Sequence, residues 1–406
     1  MFKKLLLLSL LSLMIATFVA CGDAEPDPEP APEPVVEVTP EPSPEPAPTD
    51  VEEDEVADDG WRIGIVTGTA SQGEGEYLAA MEMQERFGAD LIVRITYPDN
   101  FGAEMEVTVA NVLSLVEQGA QAIVFVQAVP GTIAAIQATR ERFGDDIFFF
   151  VGTPHEPPTE ISRHADIAMV SDDLSLGRAI VEQAHTMGAD TFAHISFPRH
   201  LGMDNVTRRR DLLYQTATEL GMQWQELESP DPMIDGVTAT RTFIYENVPT
   251  WIDDFGENTA FFATHCDMQE TLITQIAAYG GFFPLQCHPN PFHAFPDAFD
   301  ISLAGHEGDV NFVLEQTRTA IAAAGGTGRF STWPVSINML LVEVGVMYSI
   351  EYLEGNIDRH DRDALRRIIN EAAASYNASI EISNWPLDDG TFIDNFYRVL
   401  SNFVNF

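Results

Sequence analysis

The sequence predicts an α/β protein built as two doubly wound parallel-sheet lobes, preceded by a signal peptide and a disordered linker. Three observations predict it. From residue 61 onward, short apolar runs alternate with amphipathic stretches of helical period, the rhythm of a parallel sheet covered on both faces. That rhythm restarts after residue 172, which implies two units of similar size. The length, 406 residues with 45% apolar, is enough for two or three domains with cores of their own.

The chain begins MFKKLLLLSLLSLMIATFVACG. Lys3 and Lys4 make a positive start, residues 5–19 an apolar stretch, and Ala20 is small before a cut, the layout of a secretory signal outside the fold. Cys21 directly follows Phe18-Val19-Ala20. This pattern resembles the bacterial lipoprotein box, which normally carries Leu where Phe18 stands. The resemblance implies that residues 1–20 are a lipoprotein signal peptide. It also implies that Cys21 is acylated, becomes the new N-terminus and anchors the protein on the extracytoplasmic face of the cell membrane. Plain secretion with an incidental cysteine is the alternative. No later segment has 18 or more consecutive apolar residues, the length a membrane-crossing helix needs.

Residues 21–60 read as a Pro/Glu-rich tether. Between Asp23 and Gly60 there are ten prolines, 15 acidic residues and no basic one. Such a segment buries no core, and its like charges extend it, to a reach on the order of 100 Å as polyproline II.

The globular part then reads element by element. Strands are expected at 62–68, 90–97, 122–126, 147–151 and 167–170, with helices at 74–87, 104–118 and 132–143, several stopped by glycine. After the restart, helices are expected at 174–187, 203–220, 236–255 and 267–279. Strands are expected at 191–197, 223–227, 259–263 and 282–286. A strand at 301–304 and helices at 309–324 and 336–353 follow. Residues 361–374 look helical, and 391–406 are either helical or extended.

Three stretches carry a resemblance to type 1 periplasmic binding proteins. Residues 166–184, Asp-Ile-Ala-Met-Val-Ser-Asp-Asp-Leu-Ser-Leu-Gly-Arg-Ala-Ile-Val-Glu-Gln-Ala, look like the first interlobe crossing of that family. Residues 205–221, with Arg208, Arg209 and Arg210, resemble its arginine-bearing helix. Residues 259–269 resemble its strand leading to an Asp-bearing helix start, with Cys266 where many members have Asn. Gly-Thr-Gly-Arg-Phe-Ser-Thr-Trp-Pro at 326–334, with the His-rich stretch, also looks like an uncharacterised lipoprotein family of this fold. The resemblance implies an N-terminal lobe of 61–171 plus about 300–333 and a C-terminal lobe of 172–299 plus about 334–406. Crossings are expected at 170–174, 289–301 and 330–335.

Composition and motif searches exclude several classes. With 21 Lys+Arg against 63 Asp+Glu, the net charge is −42, which opposes nucleic-acid binding. Lys3 and Lys4 are the only lysines, so Schiff-base and P-loop lysine chemistry have no lysine beyond the signal segment. There is no Gly-x-Ser-x-Gly, His-Glu-x-x-His or Rossmann glycine motif. The expectation is a binding protein, not an enzyme, with no cofactor. It captures a small ligand between its lobes for an ABC-type importer. The alternative is a receptor of the same fold that signals to a membrane partner; an extracellular enzyme is the weaker third reading.

Strand ends supply ligand contacts in open α/β sheets. The candidates are therefore Thr67, Thr69, Ser71, Gln72, Gln127, Thr153, His155 and Asp172 in the first lobe. In the second they are Ser196, Arg199, Arg209, His265 and Asp267, with Arg199 as the foremost anchor for a carboxylate or phosphate. Helix capping is the competing explanation for Ser71, Asp172 and Asp267.

Cys266 and Cys287 each follow a predicted strand, and adjacent parallel strands would bring the thiols together. A disulfide, two free thiols and a soft-metal site with His265 and His288 all remain open, with His293 and His306 as further possible ligands.

Overall fold

The computed structural model describes residues 60–406; the expected signal segment, Cys21 and the expected tether up to residue 59 lie outside the described residues. Among the described residues, no helix is long and apolar enough to cross a membrane.

The first lobe begins as expected: β1 (Arg62–Thr67), α1 (Ala70–Phe87), β2 (Ile92–Thr96), α2 (Met105–Glu117), β3 (Ala120–Val126), α3 (Thr132–Phe143), β4 (Phe148–Gly152), α4 (Pro158–Ile161) and β5 (Ile167–Ser171). The runs Ile-Gly-Ile-Val, Ala-Ile-Val-Phe-Val and Phe-Phe-Phe-Val are apolar at every position because both sheet faces are covered. Ile63, Ile65, Val124, Phe148 and Phe150 face one core. Val66, Ile123, Phe125 and Phe149 face the other, with residues of α2 and α3.

The second lobe follows: α5 (Leu176–Met187), β6 (Thr191–Ser196), α6 (Pro198–Leu201), α7 (Asp204–Glu219), β7 (Gln223–Glu228), α8 (Val237–Phe255), β8 (Thr259–Ala263), α9 (Gln269–Tyr279), α10 (Phe295–Ala298), α11 (Val310–Ala323) and β9 (Ser331–Thr332). Its sheet has the order β7-β6-β8, all parallel. It continues only through single parallel bridges, Ala260 to Phe282 and Phe283 to Phe330. The strand expected at 282–286 is thus cut to a bridge, since Pro284 cannot donate to a ladder. The strand expected at 301–304 is irregular chain that runs into a turn at 304–305.

The chain ends with α12 (Ile337–Leu353), α13 (Arg362–Ala374), β10 (Ile380–Pro386), β11 (Phe392–Ser401) and β12 (Val404–Asn405). Residues 391–406 are therefore extended. The first-lobe sheet has seven strands in the order β10-β11-β5-β4-β3-β1-β2, parallel except for the hairpin of β10 with β11.

This topology corrects the expected lobe boundaries. Residues 334–401 build the first lobe: α12 packs on β1, β3 and β4, and β11 pairs with β5. Residues 300–333 stay with the second lobe, where Phe330 packs against Phe283, Phe295 and Phe299. The chain crosses between lobes at 172–175, at 333–336 and again at 402–403, before β12 pairs antiparallel with β9. Residues 289–301 are no crossing, because α10 packs on α9 within the second lobe. Periodicity could not reveal this. Helix α12 is mostly apolar, with its few polar residues, Asn338, Glu343, Ser349 and Glu351, spread over its faces, and it fits any covered sheet face; its place is decided by Gly345, where a Cβ would stand 2.5 Å from Val124 and 2.7 Å from Phe150.

The buried carboxylate of Asp166, which also meets Arg140 at 3.4 Å, pairs with the partly exposed Arg359 and ties the returning chain to the sheet. Arg359 Nε and Nη2 donate to Asp166 Oδ1 and Oδ2 at 2.8 and 3.2 Å, and Nη2 also reaches the Ile147 carbonyl at 2.6 Å. Asp166 Oδ2 accepts from the Phe149 amide at 2.7 Å.

Candidate functional site

The carboxyl ends of the first lobe's strands meet those of the second across a cleft. A cavity of about 280 Å³ lies there, lined by Glu76 of α1, by Asn290 and His293 of the second lobe, and by Asn338 after the second crossing. A larger cavity of about 540 Å³ adjoins the first crossing, between Asp172, Arg208 of α7, Trp385 and Arg398.

Glu76 is the centre of the first-lobe wall. Its side chain is buried, Oε2 accepts from Asn338 Nδ2 at 3.5 Å, and Oε1 has no partner among the described residues. Burial pushes its carboxyl above the usual range. The sequence makes room for it: α1 carries a non-helical residue at Gly73, and a Cβ there would fall 1.6 Å from Glu76 Oε1. Tyr97 is buried nearby, its hydroxyl without a partner among the described residues. Its pKa is held well above its usual value by burial and then by the charges of Glu76 and Glu156.

Gln127 and Thr153 follow β3 and β4 in left-handed conformations, φ 55° and 47°. For a β-branched threonine this is a strained choice, of the kind that persists where surrounding structure enforces it. Thr153 Oγ1 donates to Asn338 Oδ1 at 2.7 Å, and Gln127 Oε1 is buried without a partner among the described residues. The loop after β1 is more occupied. Gln72 Oε1 accepts from the Thr69 amide at 3.0 Å, and its Nε2 donates to the carbonyls of Pro98 and Asp99. Ser71 and Thr69 share a hydroxyl contact at 2.9 Å, and the Thr67 hydroxyl donates to Gly68. Thr69 and Gln72 thus cap α1, and Thr67 and Ser71 are engaged within the loop. His155 is half-buried with its ring against Phe101, and burial lowers its pKa.

Asp172 is committed to the crossing itself: Oδ1 accepts from Arg398 Nη1 at 3.1 Å and from the Ser175 amide at 3.0 Å.

On the second-lobe wall, Ser196 Oγ and His200 Nδ1 both meet Thr264 Oγ1 at 2.9 Å. Burial, with the nearby His265, Arg209, Arg199 and His288, brings the His200 pKa down to about 4. Arg199 is not a free anchor. It makes a bidentate pair, at 2.6 and 2.8 Å, with Asp231 of the loop after β7. Of the three successive arginines, Arg208 pairs with Asp204 and Arg210 with Asp211, whereas Arg209 is buried over the Phe262 ring with no carboxylate partner among the described residues. Its charge is felt at His200, Cys287 and His288.

Cys266 and Cys287 are unbonded, with sulfurs 3.5 Å apart, so the disulfide reading is not what the structure contains. His288 Nδ1 lies 3.3 Å from Cys266 Sγ and 3.4 Å from Cys287 Sγ, and His293 Nε2 lies 3.6 Å from Cys287 Sγ. In this coupled pair Cys266 is the thiol that ionises, since the Cys287 thiol and His288 donate to it; that thiolate and burial hold Cys287 up. His265 stands apart from the cluster, 3.4 Å from Asp267 Oδ2 and edge-on to His200. Asp267 is thereby engaged locally. His306 is also apart, stacked on Phe312.

Sequence reasoning missed Glu76, Tyr97 and Asn338. The two glycines flanking Glu74 were the available signal for Glu76, since closely spaced glycines in a helix need a packing reason.

Comparisons agree with this architecture. A crystallised protein of Clostridium difficile 630, proposed to be a transcriptional regulator, superposes with a TM-score of 0.77 at 17% identity, covering 85% of this chain and 99% of that one. A sugar ABC transporter protein of Actinomyces odontolyticus ATCC 17982 superposes with a TM-score of 0.51 at 9% identity, covering 74% and 86%. At such identities the likeness establishes the fold, which is that of the type 1 periplasmic binding proteins. Two uncharacterized proteins of Treponema pallidum (strain Nichols) are each 35% identical, over 163 and 180 residues. The matches cover 40% and 42% of this chain and 74% and 80% of those proteins. The model of the family described as "Protein of unknown function (DUF3798)" matches residues 61–331, most of the folded part, and the chain belongs to that family.

Proposed function

We propose that this protein is an extracytoplasmic solute-binding lipoprotein that captures a small ligand in its interlobe cleft and acts by binding, without turnover. The observation that carries the reading is the cavity of about 280 Å³ lined jointly by Glu76 and Asn338 of the first lobe and His293 of the second. Two-lobed proteins of this kind close over a ligand by hinge motion. Arg209, buried and unpaired with any carboxylate among the described residues, is suited to an anionic group of the ligand. Anchoring through Cys21 would hold the protein at the membrane beside a permease of an ABC-type importer. The second reading, a sensor that passes ligand occupancy to a membrane partner, uses the same cleft.

The test is a thermal-shift screen of the protein with sugars, nucleosides, amino acids, peptides and organic anions. A ligand of the native state stabilises it by RT ln(1 + [L]/Kd), about 2.7 kcal/mol at a hundredfold excess over Kd. A stabilising solute whose effect disappears in Asn338→Ala supports the reading. No stabilisation by any class sinks it. Anchoring is tested separately, by detergent phase partitioning of wild type and Cys21→Ala.

A further inference from the structure

Two sulfurs and the His293 imidazole converge in the second lobe, with the His288 imidazole against both sulfurs, an arrangement that demands an explanation beyond packing. Pairwise thiol hydrogen bonds would account for single contacts. They do not account for Cys266 Sγ, Cys287 Sγ and a ring nitrogen of His293 lying within 4.8 Å of one another while His288 Nδ1 approaches both sulfurs. Tetrahedral zinc, with Zn–S near 2.3 Å and Zn–N near 2.0–2.1 Å, requires ligand atoms about 3.3–3.8 Å apart, sulfur pairs at the long end and nitrogen pairs at the short end. The contacts of 3.5 Å between sulfurs and 3.3, 3.4 and 3.6 Å between sulfur and nitrogen are close to those edges.

We propose that Cys266, Cys287, His288 and His293 bind a thiophilic divalent cation of the zinc class, a site that opens onto the interlobe cleft. The chemistry of the donors suits such an ion: thiolate and imidazole select borderline-soft metals over calcium or magnesium. The backbone holds them in place. Cys266 opens the one-turn helix after β8, and Cys287 follows the neighbouring bridge at Phe282 and Phe283. The loop from Cys287 to His293 contains Pro289 and Pro291 and is fastened from below by Gln286. That fully buried side chain donates to the carbonyls of Asn290 and His293 at 3.0 and 3.2 Å, and it accepts from Thr332 at 2.8 Å. Hydrogen bonds that fix the chain behind the donors orient metal ligands in this way. All four donors belong to the second lobe, so the site exists without lobe closure and does not depend on the cleft taking an organic solute. His293 also lines the cleft cavity, which supplies an entry path.

The experiment uses the full chain in a Cys21→Ser background, which removes the third thiol from the count. The protein is reduced, stripped with a chelator and titrated anaerobically with Zn²⁺ against a chromogenic competitor, and with Co²⁺ for its thiolate charge-transfer and tetrahedral ligand-field bands. The expected result is one equivalent bound, protection of both thiols from alkylation, and affinity reduced at least about tenfold in Cys266→Ser and in His293→Ala, since even the loss of a group that only supports a ligand costs about 10–100-fold. Cys266 is the more exposed thiol, so its replacement leaves the core intact. His306→Ala should bind as wild type. Substoichiometric uptake by the fully reduced protein, or unchanged affinity in Cys266→Ser, overturns the proposal. So does a disulfide that, once reduced, still gives no uptake. The organic-solute screen on the same variants reports on the cleft reading independently.

Discussion

Arg199 and Asp231 form a two-point ion pair, with Nε to Oδ2 at 2.6 Å and Nη2 to Oδ1 at 2.8 Å. The same carboxylate accepts from the Met233 amide at 2.9 Å, so the arginine fastens the loop after β7. Arg209, in the second turn of α7, is the buried guanidinium left without a carboxylate among the described residues. For an anionic solute found by thermal shift, Arg209→Ala should weaken binding by about 10–100-fold, the value of a hydrogen bond to a charged group. Arg199→Ala should change it less than about twofold. Isothermal titration of both variants checks this; the reverse order would return the anchor role to Arg199.

The Asp166–Arg359 pair joins two segments 193 residues apart in sequence. Removing one partner from a buried pair leaves a charge uncompensated, at about 3–5 kcal/mol. Asp166→Ala should fall at the low end of that range, about 3 kcal/mol, because Arg359 keeps the Ile147 carbonyl and partial contact with water. Urea unfolding checks it. A cost under about 1 kcal/mol would mean that the returning chain is held by β11 and α12 alone.

The packing of α12 on the sheet makes a second stability prediction. Gly345→Ala places a methyl 2.5 Å from Val124 and 2.7 Å from Phe150, inside a core with no slack. Overpacking of this kind costs about 1–3 kcal/mol. Gly102→Ala, with nothing within 4 Å of the added carbon, serves as the control and should be near neutral. Equal behaviour of the two in thermal unfolding would contradict the placement of α12.

How much of this was legible in sequence depends on the kind of information each residue carries. The alternation of strand and helix was legible, because doubly covered strands such as 148–151 are uniformly apolar and amphipathic helices such as α13 are not. The lobe to which a late segment returns was not, because α12 is mostly apolar with its few polar residues spread around it, and it carries no face preference. Within the site, the sequence marks Gln127 and Thr153 as strand-end residues and Arg209 as a helix residue, but the left-handed backbone of the first two and the burial of the third were not legible. Nor were the roles of Arg199 and Asp172, because their partners Asp231 and Arg398 are 32 and 226 residues away. Glu76 was hidden for the opposite reason: an acid in an acidic stretch gives no sign of being buried until Gly73 is seen to lie against it.

That buried carboxylate supports a prediction with a definite pH sign. Burial raises the Glu76 pKa in the fold above its value of about 4.3 in the unfolded chain. The folded state therefore binds this proton more tightly than the unfolded one. Its contribution to stability is complete below about pH 4 and is lost as pH rises through the raised folded pKa. Glu76→Gln keeps the shape and the hydrogen bond with Asn338 while removing the charge. At pH 7 the variant should be more stable than wild type, and the difference should shrink toward zero as pH falls to about 4. The comparison is made between the two proteins at each pH, so that the acid sensitivity of the other carboxylates cancels. Gly73→Ala supplies the geometric counterpart. Its methyl must expel the carboxylate from its place against α1, so the pH-dependent effect of Glu76→Gln should diminish in that background. Denaturant midpoints at about pH 4, 5.5 and 7 decide the matter. A Glu76→Gln gain that is the same at all three would show that the carboxylate is not raised and that the cleft wall at this point is open to water.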